Sequence, residues 1–146
     1  MEPIKHSIII ACPRDDVFNF VTDFRNDTKW WKPVIRTEKI TPGEMAVGTV
    51  FKQYSKVMFI TIENNLTVTE WNPTEYVGYI NESPQLAYTL RYDFEAVEGG
   101  TRFSLIAELE MKGMLRLLKP ITMRTLHKQL QEYFDLLKQV MEVECH

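Results

Sequence analysis

The sequence predicts an α+β fold in which one long C-terminal helix lies on a broad antiparallel sheet. Three observations carry this. From Pro120 onward no glycine and no further proline interrupts the chain. With Met123 at zero and roughly 100° per residue, Leu126, Leu130, Tyr133, Phe134, Leu137, Val140 and Met141 share one side, and Arg124, Lys128, Glu132, Asp135, Gln139 and Glu142 the other. Upstream, seven strand-like segments follow one another, and most of their connections are too short for parallel crossovers. About 24 helical residues reach on the order of 36 Å. A helix of that length with one apolar face needs a sheet to cover.

The elements are read in order. Ile4 to Ala11 is isoleucine-rich and predicts the first strand, ended by Cys12-Pro13. Pro13 suits the first turn of a helix, and Asp15 and Asp16 favour its positive N-terminal end. Val17, Phe18, Phe20 and Val21 give that short helix its apolar side. Asp23 to Trp31 predicts a second short helix or turn. Further strands are expected at Val34–Ile40, Thr49–Val57, Met58–Trp71, Tyr76–Asn81, Leu86–Val97 and Thr101–Met111. Asn72-Pro73 and Glu98-Gly99-Gly100 are turn signals between them. In the sixth segment Leu86, Tyr88, Leu90, Tyr92 and Phe94 alternate with polar residues. In the seventh Phe103, Leu105, Ala107, Leu109 and Met111 do the same, with Ile106 the exception on the polar side. Such alternation gives a sheet one apolar and one wet face. Lys112 to Lys119 is an amphipathic connector carrying Lys112, Arg116 and Lys119.

A length of 146 residues fits a single domain, 1–146, built on one core. A net charge of −3 leaves no basic footprint for nucleic acid. No run approaches 18 apolar residues, so no integral membrane segment is expected, and the start MEPIKHSIII lacks the marks of a leader. Cys12 and Cys145 sit near opposite ends. Spacing alone allows a disulfide, but reduced thiols in a cytoplasmic protein are the simpler reading. The three histidines, at 6, 127 and 146, show no ligand spacing, and no nucleophile elbow or phosphate loop is present, so no metal or other cofactor is expected. Glu63, Glu70, Glu108 and Glu110 read as solvated charges on a sheet face.

Several pieces, in order, resemble the START-like, or SRPBCC, superfamily, and within it the polyketide cyclase/dehydrase group of small bacterial proteins. They are Pro13, Val17 and Phe18 after the first strand, Asp23 with Trp30-Trp31-Lys32-Pro33, and Gly48-Thr49-Val50-Phe51. Glu70-Trp71-Asn72-Pro73, Tyr88-Thr89-Leu90, Gly100-Thr101-Arg102 and the run from Gly113 to Pro120 complete them. The resemblance implies a helix-grip fold: a curved seven-stranded antiparallel sheet wrapped around the C-terminal helix, two short helices between strands one and two, and a cavity between sheet and helix. It also implies diverse uses, since fold alone does not license a reaction.

On this reading the chain binds or transports a small hydrophobic molecule of lipid, polyketide or aromatic type, as a monomer or homodimer. The residues expected at the ligand are Trp31, Phe51, Tyr79, Tyr88, Tyr92, Met123, His127, Leu130 and Phe134. Tyrosines there would offer hydroxyls to a mostly apolar pocket. Gln53 and Asn64 are further candidates for inward polar groups. His127 sits at the edge of the helix stripe, where it could donate a hydrogen bond, act as a base, or meet solvent. Trp30 and Trp31 suit a lid or a structural plug, and the methionines suit an ordinary core. Two other functions fit the resemblance. One is a polyketide cyclase or aromatase using His127 and a tyrosine for proton transfer. The other is a co-chaperone-like interaction protein.

Overall fold

The computed structural model describes residues 3–57 and 59–145. Met58, expected to open the fourth strand, lies outside the described residues, as do Met1 and His146. In chain order the elements are β1 (Ile4–Ile10), α1 (Arg14–Thr22), a 3-10 turn (Phe24–Asn26), α2 (Asp27–Trp30), β2 (Val34–Lys39), β3 (Val50–Val57), β4 (Ile60–Asn72), β5 (Tyr76–Glu82), β6 (Leu86–Val97), β7 (Gly100–Met111), α3 (Gly113–Leu117) and α4 (Lys119–Glu144). The strands form one antiparallel sheet in the order β1-β7-β6-β5-β4-β3-β2. This is the curved sheet and long helix of the helix-grip fold. The expected helix pair reduces to α1, the 3-10 turn and one turn of α2. The connector after β7 contains α3, which the sequence reading left without a helix.

Curvature has local causes. Register shifts fall between Val34 and Arg36 in β2 and between Val68 and Glu70 in β4. An extra residue on one strand bends it and raises its twist. The β6–β7 turn closes tightly, with Val97 paired to Gly100 and Gly99 at φ +87°. Gly100 lies against β1: a Cβ there would sit 2.0 Å from the Ile10 carbonyl oxygen. No side chain fits at that approach, which explains the second glycine of the turn.

The apolar face of the sheet and one face of α4 make the core. Leu130, Tyr133, Phe134, Leu137 and Met141 of α4 are buried against Phe94, Phe103 and Leu105 of the sheet, with Val17 and Phe18 of α1. Phe134 stacks on Phe103 at 5.2 Å between ring centroids and meets Trp30 at 6.1 Å. A smaller cluster of Ile62, Leu86, Met111 and Leu115 closes the other end. The helix comes closest to β1 and α2. It also satisfies the free edge of β1: Lys138 Nζ donates to the Ile9 carbonyl at 2.8 Å, and the Ala11 N–H donates to Glu142 Oε2 at 2.8 Å. Unpaired groups on a sheet edge are thereby met without a further strand.

Cys12 and Cys145 form a disulfide, with Cα atoms 5.9 Å apart and a sequence separation of 133. This corrects the expectation of reduced thiols. Spacing in the sequence carries no sign of the pairing, because only the folded path of α4 back to the end of β1 brings the two together. The argument for a cytoplasmic location from free thiols falls with it. Tying so long a loop limits the unfolded chain, an effect typically worth about 2–4 kcal/mol. Cys145→Ser is therefore expected to lower unfolding stability by about 2–4 kcal/mol. Reductant should lower the wild-type Tm and leave the variant's unchanged. A wild-type Tm indifferent to reductant would show that the pair contributes nothing.

Candidate functional site

Strand alternation and the position of α4 leave a cavity of about 160 Å³ between them. Its floor comes from alternate residues of β3 to β7, as the period of two requires. Phe51, Gln53, Ser55 and Val57 project into it from β3, and Leu86, Tyr88, Leu90 and Tyr92 from β6. Thr122, Leu126 and Leu130 of α4 form the roof, and Leu115 of α3 contributes at the same side. The 3-10 turn and α2 close one end with Phe24, Asp27, Trp30 and Trp31.

Six of the nine residues expected at the ligand line this space: Trp31, Phe51, Tyr79, Tyr88, Tyr92 and Leu130. Gln53 and Asn64 line it as well. Met123, His127 and Phe134 do not. Phe134 is fully buried under Phe103 and His6. Met123 is half-buried, packed beside the cluster around Leu115. His127 is exposed. It lies roughly 60° around the helix from Leu130, on the side away from Leu126 and Thr122. The cavity-facing arc runs through those two, so one step past its edge puts His127 in solvent. Of the tryptophans, Trp30 is buried among Trp31, Tyr92, Phe103 and Phe134, while half-buried Trp31 also packs on Tyr133. Both are wall and plug at once.

The sequence reading missed Asp27. Among the described residues it is the single acidic or basic one on the cavity wall. Gln53 Nε2 donates to Asp27 Oδ2 at 2.6 Å and also reaches Thr37 Oγ1 at 3.3 Å. The other carboxyl oxygen has no protein partner among the described residues. Desolvation pushes the Asp27 carboxyl from its ordinary 3.8 up to about 8; the Gln53 hydrogen bond opposes this, and the charge of Asp23 adds to it. Burial also pushes the Tyr79, Tyr88 and Tyr92 hydroxyls up, and the charge of Asp27 is the next cause for each. The three tyrosines line the same cavity as the acid, and none of their hydroxyls hydrogen-bonds within the chain among the described residues. A signal for Asp27 did exist. It stands three and four residues before Trp30 and Trp31, the spacing that puts side chains on one face of a helical turn.

A second polar group is neutral and hydrogen-bonded within itself, apart from Asn81 Oδ1, which is buried without a partner among the described residues. Asn64 Nδ2 donates to Ser55 Oγ at 2.9 Å, and Asn81 Nδ2 donates to Asn64 Oδ1 at 2.9 Å and to the Leu86 carbonyl at 3.0 Å. Thr122 Oγ1 and Trp30 Nε1 are buried without a partner among the described residues. The same residues contain no group of three or more His, Cys, Asp or Glu placed to hold a metal ion. The wall can thus offer hydrogen bonds and one acid to a guest that is otherwise apolar.

Comparison with known proteins agrees with this geometry. Among solved structures, TTHA0849 from Thermus thermophilus superposes with a TM-score of 0.82 at 15% identity, covering 99% of this chain and 100% of that one. The Zhui aromatase/cyclase from Streptomyces sp. R1128 gives 0.73 at 12% identity, over 99% and 93% of the two chains. The di-domain aromatase/cyclase BexL of the BE-7585A biosynthetic pathway gives 0.70 at 13% identity, over 99% of this chain and 50% of that one. At these identities the likeness is one of fold. No curated protein matches significantly in sequence. The family model described as polyketide cyclase / dehydrase and lipid transport matches residues 1–142. The chain belongs to that family.

Proposed function

We propose that this protein binds and carries a small hydrophobic molecule in the cavity between sheet and α4. The observation that supports this most is the cost of the wall. An acid lines a mostly aromatic and aliphatic cavity, with no Lys, Arg or His on that wall among the described residues, where an apolar residue would serve the fold better. Groups that cost stability are retained where function needs them. The volume favours a guest of about one aromatic ring, since a cavity near 150 Å³ accommodates benzene. Among the described residues no helix is long and apolar enough to cross a membrane.

A cyclase-type reaction is the second reading, and one observation favours it. The Asp27 carboxyl, pushed up to about 8, lies near the pH at which a group can both give and take a proton. In this reading Asp27 replaces His127, which is exposed on α4. General acid–base catalysis contributes typically about 10²–10⁴-fold. A loss of that order in turnover of a short poly-β-ketone by Asp27→Asn would favour the enzyme over the carrier.

Two measurements check the binding reading. An environment-sensitive apolar dye should bind wild type and be displaced by single-ring aromatics. Ala107→Phe, which fills the floor, should weaken dye binding at least tenfold with the far-UV circular dichroism intact. Absence of displaceable binding by a panel of such compounds would count against it.

The cost of Asp27 has its own signature. Its folded pKa is raised, so between about pH 4 and pH 8 the folded chain holds a proton the unfolded chain has lost. Stability from this group is then present below pH 4 and is lost as pH rises through 8, at up to about 1.4 kcal/mol per pH unit. Asp27→Asn and wild type should have similar Tm values near pH 4, with the variant increasingly more stable up to pH 8. A constant difference across that range would show that the carboxyl is not desolvated.

A further inference from the structure

We infer that the cavity selects a small apolar molecule carrying a protonated nitrogen, seated against Asp27 with its hydrocarbon among Trp30, Trp31, Phe51, Tyr79 and Tyr92. This rests on the ligand-binding reading above and narrows it to a class.

Asp27 is half-buried on the cavity wall, and among the described residues no Lys, Arg or His lines the cavity with it. The basic residues nearest in sequence are occupied elsewhere: Arg25 is paired with Asp23 at 2.7 Å, and Lys29 lies over the Phe20 ring at 5.6 Å. A buried charge is normally paired. Here no described residue supplies a cationic partner, one carboxyl oxygen accepts nothing from the chain, and Asp27 lines the cavity. A neutral guest would not need an acid at this position. An asparagine could accept from Gln53 in the same way and without the penalty of desolvation.

The walls favour the same guest. Trp30 and Trp31 stand 5.3 Å apart between ring centroids, Tyr79 and Tyr92 6.0 Å, and Phe51 and Tyr79 5.7 Å. Ring faces attract cations, at about 2 kcal/mol or more once water is removed. An ammonium has three protons to donate. The free Asp27 oxygen and the tyrosine hydroxyl oxygens can accept them. An anionic guest finds the opposite: an acid, and no cation to hold its own charge.

Proton linkage makes the binding depend on pH in a definite direction. The groups that face Asp27 are Asp23, Gln53, Tyr79, Tyr88 and Tyr92, and α4 contributes only Thr122, Leu126 and Leu130, which do not titrate. The tyrosines stay protonated over the working range. With the cavity empty, Asp27 keeps its proton up to about pH 8. A protonated amine must expel that proton to bind. Its affinity therefore rises with pH up to about 8, approaching tenfold per unit, and falls again above the amine's own pKa, near 10.4 for an alkyl ammonium. A neutral acceptor that takes a hydrogen bond from the protonated acid shows the reverse, strongest below pH 8.

The test uses three probes of one shape: 2-phenylethylamine, 2-phenylethanol and 3-phenylpropanoate, titrated by calorimetry between pH 6 and pH 9 into wild type and Asp27→Asn. The expected order at pH 8 is amine, alcohol, acid, with at least tenfold between the first two. Amine affinity should rise from pH 6 to pH 8, and Asp27→Asn should lower it at least tenfold. Asparagine keeps an acceptor for Gln53, and toluene, which has no polar atom to meet position 27, should displace the apolar dye from variant and wild type alike, which shows that the variant's cavity is intact. Alcohol bound as tightly as amine, a preference for the acid, amine affinity that falls toward pH 8, or amine affinity unchanged by Asp27→Asn would each overturn the amine class and leave the carrier reading standing. Binding of none of the three, with no displacement of the apolar dye, would overturn both.

Discussion

One helix must cover one broad sheet, and the rest of the fold answers to that constraint. Seven strands at about 4.8 Å spacing span roughly 30 Å, whereas a helix with its side chains is about 10 Å across. A flat sheet would leave most of its apolar face in water. The sheet instead curls, helped by the register shifts in β2 and β4. α4 seats on β1 and α2, and its buried arc interlocks with Phe103 and its neighbours. Further along, Met123 still packs on the cluster of Ile62, Leu86, Met111 and Leu115, but between that contact and the Phe103 region helix and sheet stand apart around the cavity. The cavity is the space that a curled sheet and a straight helix leave between them.

The parts legible in the sequence are those governed by periodicity. The alternation in β6 and β7 and the stripe on α4 named the two apolar faces, and Tyr88, Tyr92 and Leu130 line the cavity from them, while Phe51, Tyr79 and Trp31 reach it from β3, β5 and the end of α2. What failed lay at the edges of those patterns. His127 is one step beyond the buried arc, and a helical wheel does not mark where the neighbouring sheet ends. Phe134 and Met123 are on the correct face but at positions where the face is packed, and only the three-dimensional fit distinguishes packed from empty. Asp27 was passed over because it stands in a short irregular segment with no period to read. The Cys12–Cys145 pair depends on chain path alone.

The disulfide and the β1 edge contacts act together at one end of the molecule. Lys138 and Glu142 bond each other at 2.7 Å while both reach the backbone of β1, and Cys145 is tied a few residues further on. The C-terminal half of α4 is thus fixed by packing, hydrogen bonds and a covalent link. Its first eight residues, from Lys119 to Leu126, have only Thr122 buried and follow the short α3. This end, which roofs the cavity with Thr122 and Leu126, is less anchored than the C-terminal half. Local opening draws on segments with few buried contacts, so this end of α4 with α3 is where a guest would gain entry at least cost to the core.

The two polar groups of the cavity wall differ in a way that bears on its use. The Ser55–Asn64–Asn81 ladder is neutral, and its donors are spent on one another and on the Leu86 carbonyl. It holds the floor of three adjacent strands together and asks little of a guest. The Asp27 end is the reverse. Its carboxyl accepts from Gln53 alone, and the hydroxyls of Tyr79, Tyr88 and Tyr92 on the same cavity wall bond nothing among the described residues. Buried polar groups in native proteins nearly always find partners. Since only the Asp27 end carries a group that can hold a charge, a guest bound as proposed would set its polar atom at that end, beside α2.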